Sequence, residues 1–91
     1  MSLLSTQEII GDGTPQAIEY PSVLSPNAKI ALIFDDFEND LTLVQGGDRG
    51  EVRIPADDQP FPYGPFRLND PPESVTIDSA DSVTISIHRI S

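Results

Sequence analysis

The six residues Asp35-Asp36-Phe37-Glu38-Asn39-Asp40 hold four of the fifteen carboxylates of this chain, the densest local concentration of groups able to do chemistry. Closely spaced carboxylates are what a hard cation such as calcium binds. The spacing does not support an EF-hand, which needs ligands at alternate positions, a central glycine and a closing glutamate; Phe37 stands at the third position and no glycine follows. Asp35, Asp36, Glu38, Asp57 and Asp58 would have to meet from separate loops to form a site, so the run reads as a solvated turn between strands. No metal is assigned. Paired acids also suggest glycoside hydrolysis, but that requires two carboxylates about 5 to 9.5 Å apart in a cleft, and a chain of 91 residues has little room for one. His88 is the only histidine and cysteine is absent, which leaves no metal-ligand pattern and no activated nucleophile. There is no Gly-x-Ser-x-Gly elbow, phosphate-binding glycine loop, dinucleotide fingerprint or zinc-protease motif. The expectation is a protein without catalytic residues and without a cofactor.

A second constellation is suited to contact rather than catalysis. Pro55 to Phe66 contains four prolines and the aromatics Phe61, Tyr63 and Phe66. Prolines fix the backbone and aromatic rings present large areas at small entropy cost. Two readings stand: a stiff loop that docks in a partner's groove, or a lid folded over one end of a small core. Pro62-Tyr63-Gly64-Pro65 has PxxP spacing but no polyproline surroundings.

These residues must be held by a small domain. A chain this short buries only about 60 to 65% of the surface its unfolded form exposes, and without cysteine it lacks disulfides, so association is the expected source of added stability. The absence of disulfides also points to assembly in the cytoplasm. MSLLSTQEII has neither the positive start nor the apolar run of a signal peptide, and no apolar stretch reaches the length of a membrane span. A formal charge of -10 disfavours nucleic acid and anionic membranes as partners.

The positioning elements read as strands. Lys29 to Asp35, KIALIFD, is apolar at both parities and predicts a central strand covered on both faces. Leu41 to Gln45 and Glu51 to Ile54 predict a hairpin around Gly46-Gly47-Asp48-Arg49-Gly50, and Phe66 to Leu68 adds a short strand. SVTI occurs twice, at Ser74 to Ile77 and Ser82 to Ile85. The alternation and the polar residues between the copies predict a second hairpin with Val75, Ile77, Val83, Ile85 and Ile87 facing the core. Ile90 falls on the other parity, which predicts a bulge or change of sheet near His88. In residues 1–28, Gly11, Gly13, Pro15, Pro21 and Pro26 break every apolar cluster. Ser5-Thr6-Gln7-Glu8 fits a capping box for one helical turn, but the favoured reading is an extended N-terminal arm with short strands at Thr6 to Ile10 and Ala17 to Tyr20, followed by a domain over residues 29–91. The fold class is all-β: a small antiparallel β-sandwich or barrel, with jelly-roll wiring among the options.

The extended N-terminal stretch, PFPYGPFRL at Pro60 to Leu68 and SVTISIHRI at Ser82 to Ile90 together resemble small all-β structural proteins of tailed bacteriophage virions, the capsid decoration or cement proteins. The resemblance implies a non-enzymatic role in the virion. It implies a compact sandwich, often a homotrimer, whose arms and loops clamp adjacent subunits of the major capsid protein. On that reading the partner-binding anchors are Leu3, Leu4, Phe61, Tyr63 and Phe66, each contributing about 1.5 to 3 kcal/mol if fully buried. Two readings from other classes remain: a carbohydrate- or receptor-binding sandwich, marked by an exposed aromatic platform, and an acidic inhibitor that imitates nucleic acid, marked by carboxylates gathered on one continuous surface.

Overall fold

A computed structural model describes residues 2–22 and 24–90. Its elements are β1 (Ser2–Ile10), β2 (Gln16–Ala17), β3 (Lys29–Asp35), β4 (Leu41–Val44), β5 (Glu51–Ile54), a 3-10 turn (Ala56–Asp58), β6 (Phe61–Arg67), β7 (Ser74–Thr76) and β8 (Ser82–Arg89). One sheet has the order β1-β8-β3-β6 and the other β2-β7-β4-β5. The pairs β1/β8, β2/β7, β3/β6 and β4/β5 are all antiparallel. Nested pairing of first with last, second with seventh and so on, split over two facing sheets, is the wiring of an eight-stranded jelly roll.

Alternation along each strand builds the core. Ile30, Leu32 and Phe34 of β3 meet Val83, Ile85 and Ile87 of β8 on the inner face of the first sheet, and Leu41, Leu43, Ile54, Val75 and Ile77 answer from the second. All are buried, as expected where two inner faces interdigitate. Strand β3 lies between β8 and β6, as its sequence predicts. Of its outward residues Ala31 is buried and Ile33 half-buried, so the outer cover is partial.

Several expectations change. The two SVTI copies do not form a hairpin: β7 pairs with β2 and β4, while β8 pairs with β1 and β3. Residues 77–81 cross from one sheet to the other, so the repeats face each other through the core. Alternation specifies which side of a strand is apolar, and that requirement is met equally by a neighbour in the same sheet or a partner across the sandwich. The hairpin expected at residues 41–54 is present as β4 and β5, paired from Leu41↔Ile54 to Val44↔Glu51, with Gly47 and Gly50 at positive φ.

Strand β8 is regular against β3 through Arg89. The irregularity expected near His88 sits on its neighbour, where the register of β1 shifts between Leu3 and Ser5 opposite His88 and Ile87. Strand β6 is longer than the short strand expected. Between the pairs Ile30↔Phe66 and Leu32↔Tyr63 its register shifts, with Gly64 at φ 125 and no room for a side chain against the Ile30 carbonyl, 3.0 Å from where a Cβ would stand. Prolines are tolerated there because β6 is an edge strand.

Residues 1–28, expected as an arm, contribute a strand to each sheet within the described range. Ile9, Ile18 and Ala28 are buried in the core. The glycines and prolines of this segment interrupt strands at the sandwich corners without detaching it. The Ile18 N–H bonds the Glu73 carbonyl, and the Gly11 N–H bonds that of Asp81.

Candidate interaction surfaces

Four connections, residues 11–15, 36–40, 55–60 and 77–81, gather at one end of the sandwich and bring Asp12, Asp36, Glu38, Asp40, Asp57, Asp58, Asp78 and Asp81 together. Their hydrogen bonds show that much of this charge organises the loops. Asp81, only 7% exposed, accepts from the N–H groups of Glu38 (3.2 Å), Asn39 (3.0 Å) and Ser82 (2.8 Å) and from the Asn39 amide (3.5 Å). Burial pushes its carboxyl up, but these donors outweigh burial and hold it below the ordinary aspartate range. Asp40 accepts from the Ala56 N–H (2.9 Å) and from Arg53 Nε (3.0 Å), which lower it in that order. The Asp12 carboxyl is lowered by the Thr14 hydroxyl and then by the Thr14 N–H. Gln59 accepts from the Phe37 N–H at 3.0 Å and donates to the carbonyls of Phe37 and Ala56. Among the described residues, no three histidine, aspartate or glutamate side chains are arranged to hold a metal ion.

Four of the five cations mark the other end, where residues 18–28, 45–50 and 68–73 connect the strands, Arg53 beside Asp40 being the exception. Arg49 bonds the Asp70 carbonyl (2.8 Å) and pairs with its carboxylate (3.3 Å), and Arg67 bonds the Asn27 carbonyl (3.2 Å). Lys29 and Arg89 lie at the strand ends there, so the molecule is electrically polar along its strands.

The anchors predicted from sequence separate into two groups. Phe66 is buried, and Phe61 and Tyr63 are half-buried against the core. Phe66 stacks edge-on with Tyr20, ring centroids 6.3 Å apart, and lies 5.9 Å from Tyr63. The Tyr63 hydroxyl donates to Gln45 Oε1 (2.7 Å), and the Tyr20 hydroxyl to the Pro72 carbonyl (2.7 Å). Burial, with Tyr63 nearby, raises the Tyr20 hydroxyl far above the usual tyrosine range. This geometry is that of a lid: a core short of large side chains draws these rings inward. Leu3 and Leu4 lie on β1, at the opposite edge of the same sheet from β6, so the five residues do not share a surface.

Large apolar side chains meet water on strand β1 and at Ile90, just past β8. Leu3 is 59% exposed, Leu4 36% and Ile10 67%. Sequence patterning did not single out Ile10, although the adjacent pair Ile9-Ile10 carries the signal: neighbours on a strand face opposite sides, so one of them must leave the core. Beside the free edge of β1 lie two shallow concavities of about 310 and 400 Å³, both bordered by Gln7 and Glu19. The Gln7 side chain divides them, donating to the Glu19 carbonyl (2.9 Å) and accepting from the Glu19 N–H (3.1 Å). Apolar side chains at both ends of an open sheet edge can bind another chain. No family model matches this sequence, and no curated protein or solved structure matches it either.

Proposed function

We propose that this chain is a non-enzymatic structural protein that decorates a phage particle, binding the major capsid protein and stabilising the shell. The observation that supports this reading best is the exposure of Leu3 and Leu4 at one end, and of Ile10 at the other, of an edge strand of a small jelly roll. Exposed apolar side chains on one open edge are a contact surface, while Phe61, Tyr63 and Phe66 serve as the lid that keeps the scaffold closed. Repetition of a modest contact over a shell gives cohesion through multivalency, and trimer formation would multiply it again. Mass spectrometry of purified particles tests the location, and absence from them rejects the virion role. Replacing Leu3 and Leu4 with serine is expected to weaken co-sedimentation with shells about tenfold or more, while stability changes by no more than about 0.5 kcal/mol. Unchanged co-sedimentation would remove β1 from the contact.

A second reading is favoured by the carboxylates collected on the loop end: an acidic inhibitor that occupies the nucleic-acid site of a basic protein. Its mark is displacement by DNA, with binding that falls steeply as salt rises. The inward aromatics leave little support for a carbohydrate-binding platform.

A further inference from the structure

Strand β1 forms one edge of the first sheet. The Gly11 N–H donates to the carbonyl of its cross-strand partner Asp81 at 2.7 Å, and the β1/β8 register is unbroken from Ser5↔Ile87 to Ile10↔Ser82. In an antiparallel ladder, successive residues alternately turn their backbone groups toward and away from the neighbour. Ser5, Gln7 and Ile9 therefore bond β8, whereas Thr6, Glu8 and Ile10 direct their N–H and C=O groups outward. The Ile10 carbonyl is taken by Gln16 Nε2. The outward groups of Thr6 and Glu8 have no protein partner among the described residues. The protections on this strand leave Thr6 and Glu8 open: it has no proline and no lysine, its bulge at Leu4 and the Gln16 cover at Ile10 lie to either side, and Glu8 is its one charge.

We propose that this edge binds an extended segment of another polypeptide by strand addition, and that the segment alternates apolar residues with lysine or arginine. The charge of the site selects this occupant. Among the described residues, the only charged ones bordering the concavities beside β1 are Glu8 and Glu19. A second copy of this chain would bring its own Glu8 and a further net charge of -10, and β1 carries no cation to answer them, so self-pairing is disfavoured. A basic strand would bond Thr6 and Glu8 through its backbone, cover Leu3 and Ile10 with apolar side chains and meet Glu8 and Glu19 with its cations. This deepens the proposed shell-binding role by naming the form of contact.

The probe is a synthetic ten-residue peptide alternating valine with threonine and lysine, titrated into the full chain and followed by amide resonances. Saturable shifts centred on Thr6, Glu8 and Ile10, with slowed hydrogen exchange of their N–H groups, are the expected result. The same peptide with alternate amides N-methylated, or with glutamate for lysine, is expected to bind about tenfold more weakly or not at all. Thr6→Pro removes an outward N–H that the β8 ladder does not use, and is expected to abolish binding while the Ile9 and Val83 resonances stay in place. Glu8→Lys, which leaves the backbone intact, is expected to weaken binding about tenfold. Absence of saturable shifts, indifference to N-methylation, shifts confined to the acidic loops, or β1 pairing with itself as concentration rises would each overturn the inference. A chain present in particles that ignores the peptide fails here alone; a chain that binds the peptide but is missing from particles fails only the virion role.

Discussion

Asp81 shows how one side chain can tie two loops together. Its carboxylate collects N–H donors from residues 38 and 39 and from its own successor Ser82, so replacing it with asparagine removes charge-assisted bonds at a site nearly closed to water. The expected loss is about 1 to 3 kcal/mol at neutral pH, read from urea unfolding midpoints; a loss under about 0.5 kcal/mol would show that the loops hold together without it. The pH dependence has a definite sign. The folded carboxyl keeps its charge to lower pH than the unfolded one, so its contribution is complete above about pH 5 and fades as pH falls through the carboxylate range. The gap between the parent and Asp81→Asn should therefore narrow between about pH 5 and pH 3. None of this was legible in the sequence. Asp81 and Asp78 flank the same short segment and look alike as letters; only the three-dimensional return of residues 36–40 distinguishes the clamp from its exposed neighbour.

Elements were more legible than their partners. The turn containing Gly46, Gly47 and Gly50 announced the β4/β5 hairpin because tight reversals need positive φ. The apolar parity of Val75, Ile77, Val83, Ile85 and Ile87 correctly marked core positions, yet nothing in that alternation distinguishes a hairpin from a crossing between sheets. Strand β6 was partly hidden because prolines usually argue against a strand, and their tolerance at an edge is a tertiary fact. The crossing has a local requirement at Gly11, where β1 leaves its sheet against residues 77 and 78. A Cβ there would stand 2.6 Å from Ile77 Cγ1 and closer still to the Asp78 carbonyl oxygen. Gly11→Ala is expected to cost about 1 to 3 kcal/mol, since backbone on one side cannot yield as a flexible side chain would. A thermal midpoint equal to that of the parent would mean that the 77–81 crossing moves freely.

At the scale of the whole molecule, a body 34 × 27 × 21 Å carries most of its loop carboxylates at one end and most of its cations at the other. Acidic excess was evident from composition, but its polarity depends on the jelly roll bringing alternate connections to the same end. Self-repulsion should make stability rise with salt as the Debye length shortens from about 30 Å at 0.01 M to about 8 Å at 0.15 M. A falling urea midpoint over that range would instead show that exposed pairs such as Arg53–Asp40 and Arg49–Asp70 outweigh the repulsion. The wiring also imposes an order in time. Strand β8 lies between β1 and β3 and holds the first sheet together, but it follows both of them in sequence. Both neighbours are therefore synthesised before the strand that joins them, and β1 lacks its β8 partner until Ser82 to Arg89 arrive. The scarcity of basic residues and the -10 charge then have a use before folding: copies emerging side by side repel one another during the interval in which their open strands are most exposed.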